Sequence, residues 1–192
     1  MPMRAALFMD RDGVINIDHG YVHRIEDFEW VPGVFATART AAELGLALVV
    51  VTNQAGIARG YYNEAQFLAL SQWMKDAFAS AGAPLTDVYF CPQHPDGLPP
   101  YNRASLRRKP APGMLLEAAS DHGIDLSASV LIGDQPSDIA AGRAAGLRKV
   151  AFFGHPAEPE DTADADLVLA DHAAACVWLR EVFHDQSHLR IP

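Results

Sequence analysis

Short apolar runs alternate with helix-length stretches along most of this chain, and that alternation constrains its fold more than any other feature. "AALFM" (5–9), "LALVVV" (46–51), "DVYF" (87–90), "SVLIG" (129–133), "KVAFF" (149–153) and "ADLVLA" (165–170) read as short buried strands. Between them, "VFATARTAAELG" (34–45), "NEAQFLALSQWMKDAFASAG" (63–82), "PGMLLEAASDHG" (112–123), "PSDIAAGRAAG" (136–146) and "AAACVWLREVF" (173–183) read as helices. In the second of these, Phe67, Leu70, Met74, Phe78 and Ala81 recur at helical spacing and Gly82 closes the pattern. In the third, a proline opens and a glycine closes. Strand–helix alternation predicts an α/β fold: a doubly wound, Rossmann-like and mostly parallel sheet with helices on both faces. At 192 residues the expectation is one domain over 1–185, with 186–192 as a disordered tail.

Asp10 and Thr52 are separated by little more than a strand and a helix, which leaves no room for a separate cap domain. The expected site is open, with lids built from "IDHGYVHRIEDFEW" (17–30) and from the 91–108 loop. A formal charge of −9 argues against a nucleic-acid partner, which needs a basic face. The apolar run at 44–51 is too short to span a bilayer, so no membrane role is expected. "MPMRAALF" lacks the pattern of a signal peptide, and two cysteines, Cys91 and Cys176, form no disulfide framework. A cytoplasmic setting is the expectation. Cys176 reads as a core residue. His23, His122, His155, His172, His184 and His188 read as surface.

In a parallel sheet, ligands bind beyond the carboxyl ends of the strands. The residues there are Asp10, Thr52–Asn53, Cys91, Asp134 and Gly154. "MDRDGVIN" delivers Asp10 and Asp12 together, and two carboxylates that close repel unless a cation or shared proton intervenes. A calcium loop of the EF-hand type fails, because Val14, Ile15 and Tyr21 stand where an oxygen ligand, the glycine and the final carboxylate belong. The chemical reading is a magnesium ion holding both aspartates, with Asp10 as nucleophile toward phosphorus. Asp12 then acts as acid and base, and Gly13 allows a sharp turn beside the substrate. In "VVVTNQAGIARG" the Thr52 hydroxyl and nearby N–H groups suit phosphoryl oxygens, while a turn or cap role for Thr52 and Asn53 carries equal weight. In "RRKPAPG", Lys109 before a rigid helix start suits the charge on a transferring phosphoryl group, and Arg108 a second anionic group. In "VLIGDQPSDIAAG", Asp134 reads as a further metal ligand, and Asp138 as a carboxylate favoured by a helix N-terminus.

"DRDG", "TN", the lysine before proline and "GDQPSD" together resemble the four motifs of the haloacid-dehalogenase-type phosphatase superfamily over roughly residues 5–170. "DRDGVINIDHGYVH", "VVVTNQAGIARG", "CPQHP" and "RKPAPGM" are similar to its branch of heptose bisphosphate phosphatases and histidinol-phosphatase domains. The resemblance implies Asp10 as nucleophile, Asp12 as acid and base, and Thr52 and Lys109 on the phosphoryl group. It places Mg2+ on Asp10, Asp134 and the backbone carbonyl of Asp12. It assigns Asp18, His19, Gly20, Tyr21, Asn53, Gln54 and Arg108 to the substrate. The implied reaction is release of the 7-phosphate of a heptose 1,7-bisphosphate, a step toward nucleotide-activated heptose for a bacterial envelope. The implied protein is a monomer whose partner is a small phosphosugar.

The branch commonly carries a zinc loop with Cys-x-His and Cys-x-Cys. Here Cys91 remains, but Gln93, Ser105 and Arg107 occupy the other ligand positions and His94 is one residue out of register. Such a set cannot close a tetrahedral site, so structural zinc is expected to be absent. Gln135 also stands where the heptose enzymes often carry lysine. The rival readings are a histidinol-phosphate phosphatase, a polynucleotide 3′-phosphatase, and a phospho-acceptor receiver module. The acidic total argues against the second, and Asp12 has no purpose in the third.

Overall fold

The computed structural model describes residues 3–184, and the tail expected at 186–192 falls outside them. Six strands, β1 (Ala6–Met9), β2 (Ala47–Asn53), β3 (Asp87–Cys91), β4 (Val130–Gly133), β5 (Lys149–Phe153) and β6 (Leu167–Leu169), form one sheet in the order β3-β2-β1-β4-β5-β6. Every pairing is parallel. The helices are α1 (Val34–Glu43), α2 (Ala55–Ala58), α3 (Glu64–Ser80), α4 (Gly113–His122), α5 (Pro136–Ala144) and α6 (His172–His184). The expected α/β architecture is therefore what the chain builds, with one α-helix between β1 and β2 and no inserted cap. α2 was not expected: four residues including a glycine carry too little periodicity to register.

The period-two geometry of the strands sorts their side chains onto two cores. Leu7, Met9, Leu48, Val50, Val130 and Ile132 pack with α1, α3 and α6, including Val34, Leu70, Phe78 and Leu179. Ala6, Phe8, Val49, Val51 and Leu131 face the opposite way, onto Met114 and Leu115 of α4 and Ile139 of α5. α3 starts with a capping box: Asn63 Oδ1 accepts from the Gln66 N–H at 2.9 Å, and Gln66 Oε1 from the Asn63 N–H at 3.0 Å. No helix of the described residues is long and apolar enough to cross a membrane.

Chain direction across the sheet reverses between β1 and β4, which lie side by side with Met9 opposite Ile132. The ladder runs on by one bond, Asp10 N–H to Ile132 O at 3.0 Å. Asp10 and Asp134 thus leave the sheet at the switch point, where a crevice opens.

Four side-chain expectations change. Cys176 is half-buried, with its sulfur 3.6 Å from Thr37 Oγ1, rather than in the core. His172 is buried at 1% exposure, not on the surface. Its Nε2 lies 2.9 Å from Val14 O and its Nδ1 2.9 Å from Thr37 Oγ1, joining α6 and α1 to the turn after Asp12. His23 and His122 are half-buried and His155 is exposed. Burial holds the His172 imidazole below its ordinary value of 6.5. The unfolded chain then binds the extra proton, so this contribution to stability is present above pH 6.5 and is lost as pH falls below it. Urea unfolding of wild type and His172→Gln between pH 7 and 5 should show the steeper loss in wild type; parallel slopes would contradict the assignment.

Candidate active site

The edge of the sheet at β1, β2 and β4 opens into a cleft of about 590 Å³, lined by Asp10, Asp12, Thr52, Asn53, Gln54, Arg108, Lys109 and Asp134 among others. Asp18, Gly20 and Tyr21 reach it from the 17–30 segment. That segment is held at its far end by Phe28 and Trp30, which meet Trp73 of α3 at ring distances of 5.3 Å each. His19 does not line the cleft. It turns outward and pairs with Glu29 at 3.0 Å. Cys91 and Gly154 also stay outside it.

Lys109 is the electrostatic centre. It is 4% exposed, with Nζ at 2.9 Å from Asp10 Oδ1, 2.5 Å from Asp138 Oδ1 and 2.8 Å from Val51 O. The mutual attraction raises its ammonium further above the usual lysine range despite burial. Asn53 fixes the backbone of the same residue from both sides: its amide nitrogen donates to Lys109 O and its oxygen accepts from Lys109 N–H, each at 3.0 Å. The Asn53 amide is thereby committed to placing the lysine.

One ammonium does not balance three carboxylates. Ligand oxygens of Asp10, Asp134 and Asp138 all lie within 4.8 Å of one another. Burial, and then the Asp138 charge, push Asp10 well above the carboxylate range and Asp134 up to about 6. Asp134 Oδ1 is buried without a hydrogen-bond partner, and Asp138 Oδ1 has only the close ion contact with Lys109. Hard oxygens, excess negative charge and an unmet buried acceptor fit a divalent cation such as Mg2+. Asp138 does two things here, since its Oδ2 also accepts from Gln135 N–H at 3.0 Å as the start of α5 requires.

Asp12 is treated differently. Its carboxylate is paired with Arg11, at 2.7 Å from Nη2, and also accepts from Asn16 Nδ2 at 3.0 Å and Gln54 Nε2 at 3.2 Å. The sequence reading gave both carboxylates to one cation; in the structure Arg11 answers the charge on Asp12. Gln54 is buried, donating to Thr52 Oγ1 at 2.8 Å as well as to Asp12. Arg59, Tyr62, His94 and Ser137 line the cleft too, and sequence reasoning did not place them there. Arg59 is carried in at the end of α2, and His94 by the loop that follows β3.

Two glycines make the acidic cluster possible. A Cβ on Gly13, at φ +81°, would stand 2.1 Å from Asp134 Oδ2, and one on Gly133 2.3 Å from Asp138 Cβ. Gly13 therefore makes room for Asp134, besides allowing the turn. Gly13→Ala should cost about 1–2 kcal/mol of stability for its left-handed backbone and weaken Mg2+ binding at least about tenfold. Calorimetric titration with Mg2+ checks this, and unchanged affinity would contradict it.

Residues 106–175 match the HAD-hydrolase-like family model. The D-glycero-beta-D-manno-heptose-1,7-bisphosphate 7-phosphatase of Yersinia pestis is 47% identical over 167 residues, covering 85% of this chain and 89% of that protein. The chain belongs to the HAD-like phosphatases. Another relative, the D-glycero-alpha-D-manno-heptose-1,7-bisphosphate 7-phosphatase of Burkholderia mallei, is 56% identical over 143 residues, 74% of this chain and 76% of that protein. Among solved structures, D,D-heptose 1,7-bisphosphate phosphatase from B. bronchiseptica, complexed with magnesium and phosphate, superposes with a TM-score of 0.79 at 27% identity, covering 92% of this chain and 98% of that one. As a HAD-like phosphatase the chain is an enzyme, a phosphoric monoester hydrolase.

Proposed function

We propose that this phosphatase removes the 7-phosphate of D-glycero-D-manno-heptose 1,7-bisphosphate through an aspartyl-phosphate on Asp10. The buried Asp10–Lys109 contact at the switch point carries the chemical reading: it fixes one oxygen of Asp10 beside a cation and leaves the carboxylate lining the cleft. The names of two relatives at 47% and 56% identity, which agree on heptose 1,7-bisphosphate and differ in its anomer, support the substrate.

Asp10 attacks phosphorus while Asp12 gives a proton to the departing sugar oxygen. Water then attacks the aspartyl-phosphate, Asp12 takes its proton, and the bond from Asp10 to phosphorus breaks. Lys109 Nζ and the Thr52 hydroxyl hold the phosphoryl oxygens. Asp10, Asp134 and the Asp12 carbonyl would hold Mg2+, which supplies positive charge to the phosphoryl group when bound. Arg108 reads the anionic far end of the substrate, and Asp18, His19, Gly20, Tyr21, Asn53 and Gln54 shape its position, Asn53 and Gln54 by what they hold in place. His19 reaches the substrate only if its segment moves. The enzyme works as a cytoplasmic monomer in the supply of activated heptose.

The test compares kcat/KM for both anomers of heptose 1,7-bisphosphate with histidinol phosphate, in Mg2+ and in EDTA. A preference of about a hundredfold or more for the heptose, near 2.7 kcal/mol and lost in EDTA, is expected. A preference for histidinol phosphate would contradict the substrate. In the loop where the branch has its zinc ligands, Cys91 Sγ meets Gln93 Oε1 at 3.3 Å. Protein purified without chelator should hold no stoichiometric zinc, and one zinc per chain would contradict that part of the reading.

A further inference from the structure

Behind Asp12 lies a buried polar assembly that none of these steps uses. Arg11 is 1% exposed. Its Nη2 lies 2.7 and 2.8 Å from the two Asp12 oxygens, and its Nε 3.2 Å from Oδ1. Its Nη1 is buried with no partner, a costly way to hold a guanidinium unless the geometry serves a purpose.

On the other side of Asp12 stands Gln54. A carboxylate can face only the amide nitrogen, so Nε2 points to Asp12 Oδ2 and Thr52 Oγ1, and Oε1 points away to accept from the Tyr62 hydroxyl. Burial raises the Tyr62 phenol, keeping the proton it donates. The ring fits only because residue 56 is glycine: a Cβ there would stand 2.2 Å from Tyr62 Cε1. His23 stacks on the same ring at 4.7 Å, and Arg11 Nη2 also donates to Val22 O at 2.8 Å. Both ends of the assembly are thus tied to the segment that carries Tyr21.

We propose that Arg11 and Tyr62 are positioning residues for proton transfer, Arg11 acting directly and Tyr62 through Gln54, which together fix the Asp12 carboxylate and orient the Thr52 hydroxyl. The proposal rests on the reading of Asp12 as acid and base. Oδ1 of Asp12 accepts from Arg11 Nε, Arg11 Nη2 and Asn16, while Oδ2 accepts from Arg11 Nη2 and Gln54 only. Oδ2 is the oxygen with room for the proton. It passes to the sugar oxygen as the P–O bond breaks, and is regained from water when the aspartyl-phosphate is hydrolysed. Because Thr52 Oγ1 already accepts from Gln54, its own O–H is free to donate to a phosphoryl oxygen.

The dependence of rate on the leaving group separates positioning from mere structure. A sugar alkoxide needs a proton to leave, whereas p-nitrophenolate does not. Tyr62→Phe and Arg11→Lys should each slow first-turnover release of the leaving group from heptose 1,7-bisphosphate about tenfold more than from p-nitrophenyl phosphate, a fraction of what acid–base catalysis supplies; the later hydrolysis of the aspartyl-phosphate is common to both substrates. The substrate concentration that half-saturates the first-turnover rate should move little for either substrate, and melting temperatures report folding independently. Equal losses on both substrates in a folded variant, either of the two, would overturn the proposal. Asp12→Asn is the control: if it too slows first-turnover release from both substrates equally, the reading of Asp12 as acid itself fails, whereas selectivity in Asp12→Asn alone rejects only the positioning role.

Discussion

Asp10→Asn is expected to abolish phosphate release while leaving the protein folded. The amide has nearly the carboxylate's shape and still offers Oδ1 to Lys109, but it is no nucleophile toward phosphorus. A fall of at least about four orders of magnitude in kcat corresponds to roughly 5.5 kcal/mol of lost transition-state stabilisation. The stability change has the opposite sign. Burial and the Asp138 charge raise the Asp10 carboxyl, so without metal its contribution to stability is present at low pH and lost as pH rises. At pH 7 the metal-free variant should melt at the same temperature as wild type or above it, the pattern of a residue kept for chemistry at the expense of stability. Phosphate assays and thermal melts in EDTA check both halves, and measurable steady-state turnover would contradict the role of Asp10.

Lys109→Met should damage fold and function together. Removing the ammonium leaves Asp10 and Asp138 facing each other without their shared cation, and Val51 O without its donor. Breaking a buried ion pair from one side costs about 3–5 kcal/mol. Adding Asp138→Asn removes one of the two stranded charges, so the double variant should recover part of that stability but none of the activity, a non-additivity expected of groups in contact. Urea unfolding of wild type, both single variants and the double variant measures the coupling; strictly additive losses would show that Lys109 does not act through Asp138.

The architecture was legible because parallel strands buried on both faces are continuous apolar runs, and because glycines such as Gly82 and Gly123 mark the helix ends locally. Each predicted strand has its counterpart with ends shifted by at most two residues, β2 running on to Asn53. The placement of Asp10 and Asp134 at strand carboxyl ends followed from the same alternation, whereas their meeting at the switch point depends on a strand order that only the structure gives. What was not legible depends on contacts between residues distant in the chain. His172 meets Val14 across 158 positions and Thr37 across 135, and no local pattern distinguishes it from a surface histidine. Asp138 satisfies a helix start locally, which hid its contact with Lys109. Arg11 offered a signal that passed unread: a charge between two aspartates and before Val14 and Ile15 must be buried with them, and so must pair. His19 shows the opposite limit, a residue carried over by resemblance that the structure turns away from the cleft toward Glu29.

The covalent role of Asp10 is the central claim, and trapping the phosphoenzyme tests it most directly. Asp12→Asn protein supplied with p-nitrophenyl phosphate and Mg2+ can form the aspartyl-phosphate without an acid but hydrolyses it slowly for want of a base. Borohydride added during turnover reduces an acyl phosphate to the alcohol, so peptide mass spectrometry should find homoserine at position 10 and nowhere else. Release of p-nitrophenol with residue 10 still aspartate, or homoserine at another position, would contradict the account.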